Sequence, residues 1–254
     1  MKENKIIILI LLLIISCKNQ EKEKNNQSNE NKITLSKLKG SPAFEGASLS
    51  IDENNLKINA NGEVNFDFNV ENYELGAQTP NAKENGLANS GKGQHIHFIL
   101  NNGPYSAHYE SNFDKTLGPG NNVILSFLSR SYHESLKNTE AFSLIQLNIK
   151  EQEEDSIDLS APLMFYSRPK GTYQGDDTKK LLLDFYLINT EISPDGNKVR
   201  ATINGKEFLI DEWTPYYIEG LSLGEVKVKL ELLDSSGNLI DAPFNPVERK
   251  VILK

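Results

Sequence analysis

The chain has 254 residues, a net charge of −8 and a single cysteine. One cysteine excludes an intramolecular disulfide, and the negative charge balance gives no basic footprint for nucleic acid. The length is enough for one large domain or two small ones.

The first segment has the order of parts found in a signal peptide. A lysine-containing start precedes an apolar run over residues 6–15, and Ser16 stands directly before Cys17. About ten apolar residues are too few to cross a bilayer, which needs about twenty. Residues 14–17 also resemble the bacterial lipoprotein processing box, so we predict a signal peptide over 1–16 and lipidation of Cys17.

The segment that follows predicts a disordered tether over residues 17–32. Residues 18–32 contain no large apolar side chain, so they cannot bury surface. This argues against reading the apolar run as a core helix. Acyl chains on Cys17 would hold the protein to a membrane, stably with two or more. We expect a location in the bacterial cell envelope, and Lys18 after the cysteine favours the outer membrane over the inner one.

Beyond the tether, apolar and polar residues alternate and turn residues interrupt the pattern, which is typical of a β-sandwich or barrel. In chain order, we predict a first series of strands over 47–51, 56–60, 64–71, 95–101, 105–110, 123–129 and 142–149. A second series is predicted over 163–166, 181–189, 198–203, 207–212, 225–233 and 247–253.

The two series resemble each other in three motifs. The matching pairs, in the same order, are 66–72 with 183–189, 95–100 with 198–203, and 123–127 with 226–230. We therefore predict an all-β chain of two tandem β-sandwich (immunoglobulin-like) domains, 33–150 and 161–254, with an acidic linker over 151–160. The alternative is one large sandwich whose halves resemble each other by chance.

All four histidines lie in the first series. His95 and His97 are two apart on a strand and point to one face. The matching residues of the second series are Lys198 and Arg200, which are rarely buried unpaired. We therefore expect the histidine face to contact solvent.

The turn after this strand predicts which residues lie opposite the histidines. A two- or four-residue loop places His108 opposite His97 and Glu110 opposite His95. Cross-strand partners have Cβ atoms about 5 Å apart, so these four side chains would form one patch. A three-residue loop would break this arrangement, because a slip of one residue turns every side chain to the other face.

Imidazoles with a carboxylate form the kind of patch that binds zinc, copper or nickel, and zinc or copper is the metal we expect. His133, just past the next long strand, is a further candidate ligand. The alternative is a solvated or interface face with no metal.

A basic, aromatic segment over residues 165–173 opens the second series. Arg168 and Lys170 in this segment, with Arg130 from the first, are candidate ligands for a phosphate or carboxylate. The alternative is a turn with two solvated cations. The sequence lacks the common motifs of nucleophilic, phosphate-binding and zinc-protease sites, so we expect no catalysis.

Several stretches resemble a known group of proteins, namely 93–110, 127–135 and 165–171. They are similar to Bacteroidetes (flavobacterial) lipoproteins that often carry the label "phosphopeptide-binding protein". The first predicted domain is also similar to a small His-bearing β-sandwich family of unassigned function. That resemblance implies that His95, His97 and His133 correspond to the histidines of the family.

These observations lead to one main hypothesis and two alternatives. The main hypothesis is a non-catalytic envelope lipoprotein whose first sandwich binds a transition metal through its histidine face. The alternatives are a module that binds phosphopeptides or other anionic peptides, and a structural envelope subunit.

Overall fold

A computed structural model describes residues 32–149 and 156–254. The predicted signal peptide, Cys17 and nearly all of the predicted tether lie outside these ranges. Strands, counted with isolated bridges, make up 48% of the described residues, and the described ranges contain no α-helix. The predicted all-β sandwich fold is confirmed. Among the described residues there is no helix with the length and apolar character to span a bilayer.

The first half of the described chain contributes eight strands. They are β2 Ser48–Ile51, β3 Lys57–Ile58, β4 Glu63–Glu71, β5 His95–Leu100, β6 Ser106–His108, β7 Asn112–Thr116, β8 Gly120–Ser129 and β9 Phe142–Ile149. The sheet β6-β5-β8-β9 faces a second sheet made of β2-β4-β3 and β7. The core between them includes Val64, Phe66, Ile96, Phe98 and Leu128.

The second half contributes eight further strands. They are β10 Leu163–Arg168, β11 Thr172–Tyr173, β12 Lys180–Ile188, β13 Lys198–Ile203, β14 Lys206–Ile210, β15 Tyr216–Glu219, β16 Gly224–Leu233 and β17 Val247–Leu253. Together with β1 Thr34–Lys37, the first described strand, they form the sheets β1-β15-β12-β10 and β11-β17-β16-β13-β14. Their shared core includes Met164, Leu183, Phe185, Val199 and Leu230.

The first described strand, β1 Thr34–Lys37, lies in the range predicted for the first domain but belongs to a sheet of the second half. It pairs antiparallel with β15, and Leu35 lies opposite Ile218. A strand added here covers the exposed hydrogen-bonding edge of β15. The predicted division near residue 151 therefore does not apply to β1.

The two halves pack back to back through a third apolar cluster. Ile99, Leu125 and Phe127 of the first half lie in it together with Phe165 and Tyr186 of the second. The central strands β5 and β8 of the sheet β6-β5-β8-β9 are therefore buried on both faces, with their own sandwich core on one side and the second half on the other. Residues 31–254 accordingly form one compact unit. The face of β5 that carries the histidines is turned towards the second half.

Candidate functional site

The histidine face of β5 is buried. His95 and His97 are both 0% exposed, so the expectation of a solvent face was wrong. Ile99 lies on the same face of β5 and packs in the cluster that joins the two halves. The second half covers this face, whereas the matching face of the second half bears the partly exposed ion pair between Arg200 and Glu231.

Three imidazoles converge at this buried point. The Nε2 atom of His95 lies 3.0 Å from Nε2 of His97 and 3.1 Å from Nδ1 of His133. One ring nitrogen from each histidine lies within 4.8 Å of the other two. Imidazoles on a tetrahedral zinc ion, at 2.0–2.1 Å, stand about 3.3–3.4 Å apart. The three histidines are therefore close enough to hold a metal ion.

Hydrogen bonds to the other ring nitrogens set the orientation of the rings. The Nδ1 atom of His95 lies 2.8 Å from the carbonyl oxygen of Gly93. Because a carbonyl only accepts, this nitrogen carries the proton, and Nε2 keeps a free lone pair. The Nδ1 atom of His97 lies 3.2 Å from Oγ of Ser167, in the second half. Metal-ligating histidines are commonly oriented by such outer partners.

A tight loop after β8 brings His133 to the other two histidines. His133 has φ of 72°, in the left-handed region, and its amide donates to the carbonyl of Arg130. Nη1 of Arg130 donates to Glu134 at 3.0 Å, and Nη2 donates to the carbonyl of Pro42. Arg130 therefore braces this loop, and no hydrogen bond or ion pair among the described residues joins it to Arg168 or Lys170, the other two predicted anion-binding residues.

Aromatic rings and cations enclose the cluster. Tyr105 stacks on His97 with ring centroids 3.5 Å apart, and its hydroxyl lies 3.3 Å from Nδ1 of His133. The Lys170 ammonium lies 4.2 Å from the centre of the Tyr105 ring, and Arg168 lies 5.3 Å from it. The structure thus places Arg168 and Lys170 beside the histidines rather than in a solvated turn.

Burial keeps these imidazoles neutral. It lowers the pKa of His95 to about 4 and lowers the pKa values of His97 and His133 well below the ordinary histidine value. The charges of Arg168 and Lys170 act in the same direction. Neutral imidazole is the form that ligates metals.

His108 and Glu110 do not join the cluster. The β5–β6 register pairs Ile96 with His108 and His97 with Ala107, one residue away from the predicted register. His108 therefore points to the opposite face, where it stacks on Phe113 at 3.4 Å. Glu110 is exposed. The predicted four-residue patch was wrong because the turn over 101–103 has three residues.

Sequence reasoning missed several residues of this site. Tyr105 and Tyr109 both contact its rings, and Ser90 in the loop before β5 contacts the Tyr109 hydroxyl at 2.7 Å. Ser167 comes from the other half of the chain. Only Tyr105 and Tyr109, which follow the histidine strand closely in sequence, could have been suspected from the sequence near the histidines. The others depend on long-range packing.

Comparisons with known proteins place the chain in no family. No family model matches, and no curated protein matches. Solved structures with some similarity include the fibronectin(III)-like modules of Clostridium thermocellum CbhA, at 11% identity and TM-score 0.29, covering 81% of this chain and 94% of that one. A second is the tandem V-type regions of VCBP3, at 8% identity and TM-score 0.23, covering 82% and 99%. Likenesses this weak carry no conclusion about function.

Proposed function

We propose that this protein is a non-catalytic metal-binding protein of the bacterial envelope, with a transition-metal site formed by His95, His97 and His133. The observation that supports the site is the convergence of three neutral imidazole nitrogens, two of them 3.0 and 3.1 Å from the third. Imidazole donors favour zinc or copper among the biological metals.

The charge around the site bears on the choice of metal. The three ligand nitrogens belong to neutral imidazoles. The Tyr105 ring, which stacks on His97, has the Lys170 and Arg168 cations beside it. A bound divalent ion would add two positive charges next to these cations. The site therefore favours copper(I) over zinc(II), unless an anion is bound together with the metal.

Metal binding to the purified full-length chain tests the proposal. After chelator treatment, we expect copper or zinc to bind at about one ion per chain, measured by mass spectrometry of the metal and by calorimetric titration. His95→Ala should abolish this binding, because it removes the central nitrogen. His108→Gln, which removes the histidine on the opposite face, should leave it unchanged. A wild-type chain that takes up neither metal would refute the proposal.

The envelope location rests on the sequence alone. We propose that Cys17 carries acyl chains and anchors the protein to a membrane, with the outer membrane favoured. Mass spectrometry of the N-terminal peptide from the membrane fraction should find lipidated Cys17 as the first residue. Cys17→Ser should release the protein from that fraction, and an unmodified wild-type cysteine would contradict the anchor.

A further inference from the structure

A small cavity lies beside the histidine cluster, between the β5–β6 turn, the end of β10 and β17. Its lining includes Pro104, Tyr166, Ser167, Lys170 and Arg249, and its volume is about 50 Å³. A water molecule needs about 10–15 Å³ on this measure, so the cavity has room for roughly three or four waters or for one small ion.

The cavity has positive charge without an ion-paired carboxylate. Asp184, which lies opposite Arg168 in the β10–β12 register, is itself paired with Lys137. Among the described residues, no carboxylate forms an ion pair with Lys170, Arg249 or the adjacent Arg168.

Arg168 is only 7% exposed. Its Nη1 atom donates to the Tyr173 hydroxyl at 2.9 Å, which carries no charge, whereas a buried arginine is almost always paired with a charge. Lys250, which also lines the cavity, is paired with Glu225 and does not add to this excess.

The Lys170 ammonium donates to the Tyr105 carbonyl, and the Arg249 Nη atoms donate to the carbonyls of Glu248 and Asn102. Three other donors at the cavity have no partner. The hydroxyl of Tyr166 and the Nε atoms of Arg168 and Arg249 are buried and have no hydrogen-bond partner. Tyr166 is 2% exposed, and Arg249 lies over its ring at 5.6 Å. Buried polar groups in native proteins are nearly always satisfied, and arginine can only donate. The cavity therefore lacks an acceptor that carries negative charge.

We propose that this cavity binds a small oxyanion, either free phosphate or a carboxylate group. The Tyr166 hydroxyl and the Arg249 guanidinium donate hydrogen bonds to its oxygens, and the Lys170 ammonium supplies charge. Bonds from charged donors to an oxyanion are among the strongest hydrogen bonds in proteins. None of the three histidines takes part, so the site does not depend on a bound metal.

Calorimetric titration of the metal-free chain in low-chloride buffer tests this proposal. One titration adds inorganic phosphate and the other adds acetate. Comparing them shows whether the cavity binds a phosphate or a carboxylate group. We expect at least one of the two to bind at one site per chain. Tyr166→Phe, which removes only the hydroxyl, and Arg249→Gln should each weaken that binding by about tenfold or more.

Two matched variants control for nonspecific effects. Tyr73→Phe removes another buried hydroxyl that has no hydrogen-bond partner, and Tyr73 belongs to the first half rather than to the lining of the cavity. Lys227→Gln removes an exposed cation of β16. Both should bind the anion as the wild type does. Failure of both anions to bind, or wild-type binding by both Tyr166→Phe and Arg249→Gln, would overturn the proposal. Because the protein is metal-free, neither outcome bears on the histidine site.

Discussion

His133 occupies a backbone conformation that the matching loop of the second half gives to glycine. Its φ is 72°, and that of Gly237 is 84°. The amides of both residues donate to a carbonyl three residues earlier, at Arg130 and Asp234. A non-glycine residue in this region costs on the order of 1 kcal/mol or more. Since the second half closes the same turn with glycine, the turn does not need the imidazole, and the proposed ligand role would account for its presence.

This comparison predicts that His133→Gly separates metal binding from folding. The backbone should keep its turn, so the midpoint of thermal unfolding of the metal-free chain should change little. Metal affinity should fall by more than the 10–100-fold typical of losing an outer hydrogen-bond partner, because a ligand itself is lost. Competition with a coloured chelator measures affinity, and circular dichroism measures unfolding. Wild-type affinity in the variant would exclude His133 as a ligand.

His108 predicts how stability responds to acid. Its pKa is lowered to about 4, first by burial and then by the charges of Lys115 and His95. An unfolded chain has a histidine pKa of about 6.5 and binds more protons between these values. The contribution of His108 to the free energy of unfolding is therefore complete above about pH 6.5, and it is lost as the pH falls to about 4. His95, His97 and His133 act in the same direction.

The check is urea unfolding of the metal-free chain at several pH values across this window. The free energy of unfolding should fall with acidification, and less steeply in His108→Gln, which cannot titrate. Equal slopes for the two proteins would mean that the imidazole of His108 keeps an ordinary pKa.

The strands themselves carried a signal for the buried histidine face. Residues 123–128 of β8 and 181–188 of β12 are nearly continuous apolar runs rather than alternating ones. Such runs indicate strands that are buried on both faces. The prediction of a solvent face relied instead on Lys198 and Arg200 of the second half. The side chain of Arg200 is 32% exposed, so this face of the second half is partly open to solvent, and the analogy between the repeats failed.

The loop after β8 and the strand β12 are joined by a buried ion pair, which predicts a large effect of mutation. Asp184 is 0% exposed and accepts from Nζ of Lys137 at 2.8 Å and from the Ser135 hydroxyl at 3.0 Å. Lys137→Met leaves this carboxylate without its countercharge. The free energy of unfolding should fall by about 3–5 kcal/mol, measured by urea denaturation.

An exposed pair is the matched control for that experiment. Lys179 and Asp176 lie 2.7 Å apart, with side chains 76% and 93% exposed. Lys179→Met should leave the free energy of unfolding almost unchanged, because solvent screens exposed pairs. Similar losses in the two variants would show that burial of Asp184 does not determine the effect.

At the scale of the whole molecule, the alternating pattern was enough to locate most of the fold. Every predicted strand overlaps an observed one, and β1, β7, β11 and β15 were missed. These strands have two to five residues, too short for a clear period. The pairing of β1 with β15 joins residues far apart in sequence, and no local pattern encodes it. The register of the β5–β6 hairpin depended on one residue of loop length.

The packing of the halves predicts that metal at the histidine site stabilises the whole unit from residue 31 to 254. The His97 ring lies 5.1 Å from Phe127, which stacks on Tyr186 of the second half at 4.9 Å. Tyr186 in turn lies 5.1 Å from Trp213, the single tryptophan of the chain. A probe in the second half should therefore report binding in the first.

We expect thermal unfolding followed by Trp213 fluorescence and by circular dichroism to coincide in one transition. Copper or zinc at a hundredfold excess over its dissociation constant should stabilise the folded state by about 2.7 kcal/mol and shift both signals equally. His95→Ala should remove the shift without separating the signals. A metal-induced shift in the circular dichroism that leaves the Trp213 transition in place would mean that the halves unfold independently, and that the apolar cluster between them does not couple the site to the rest of the chain.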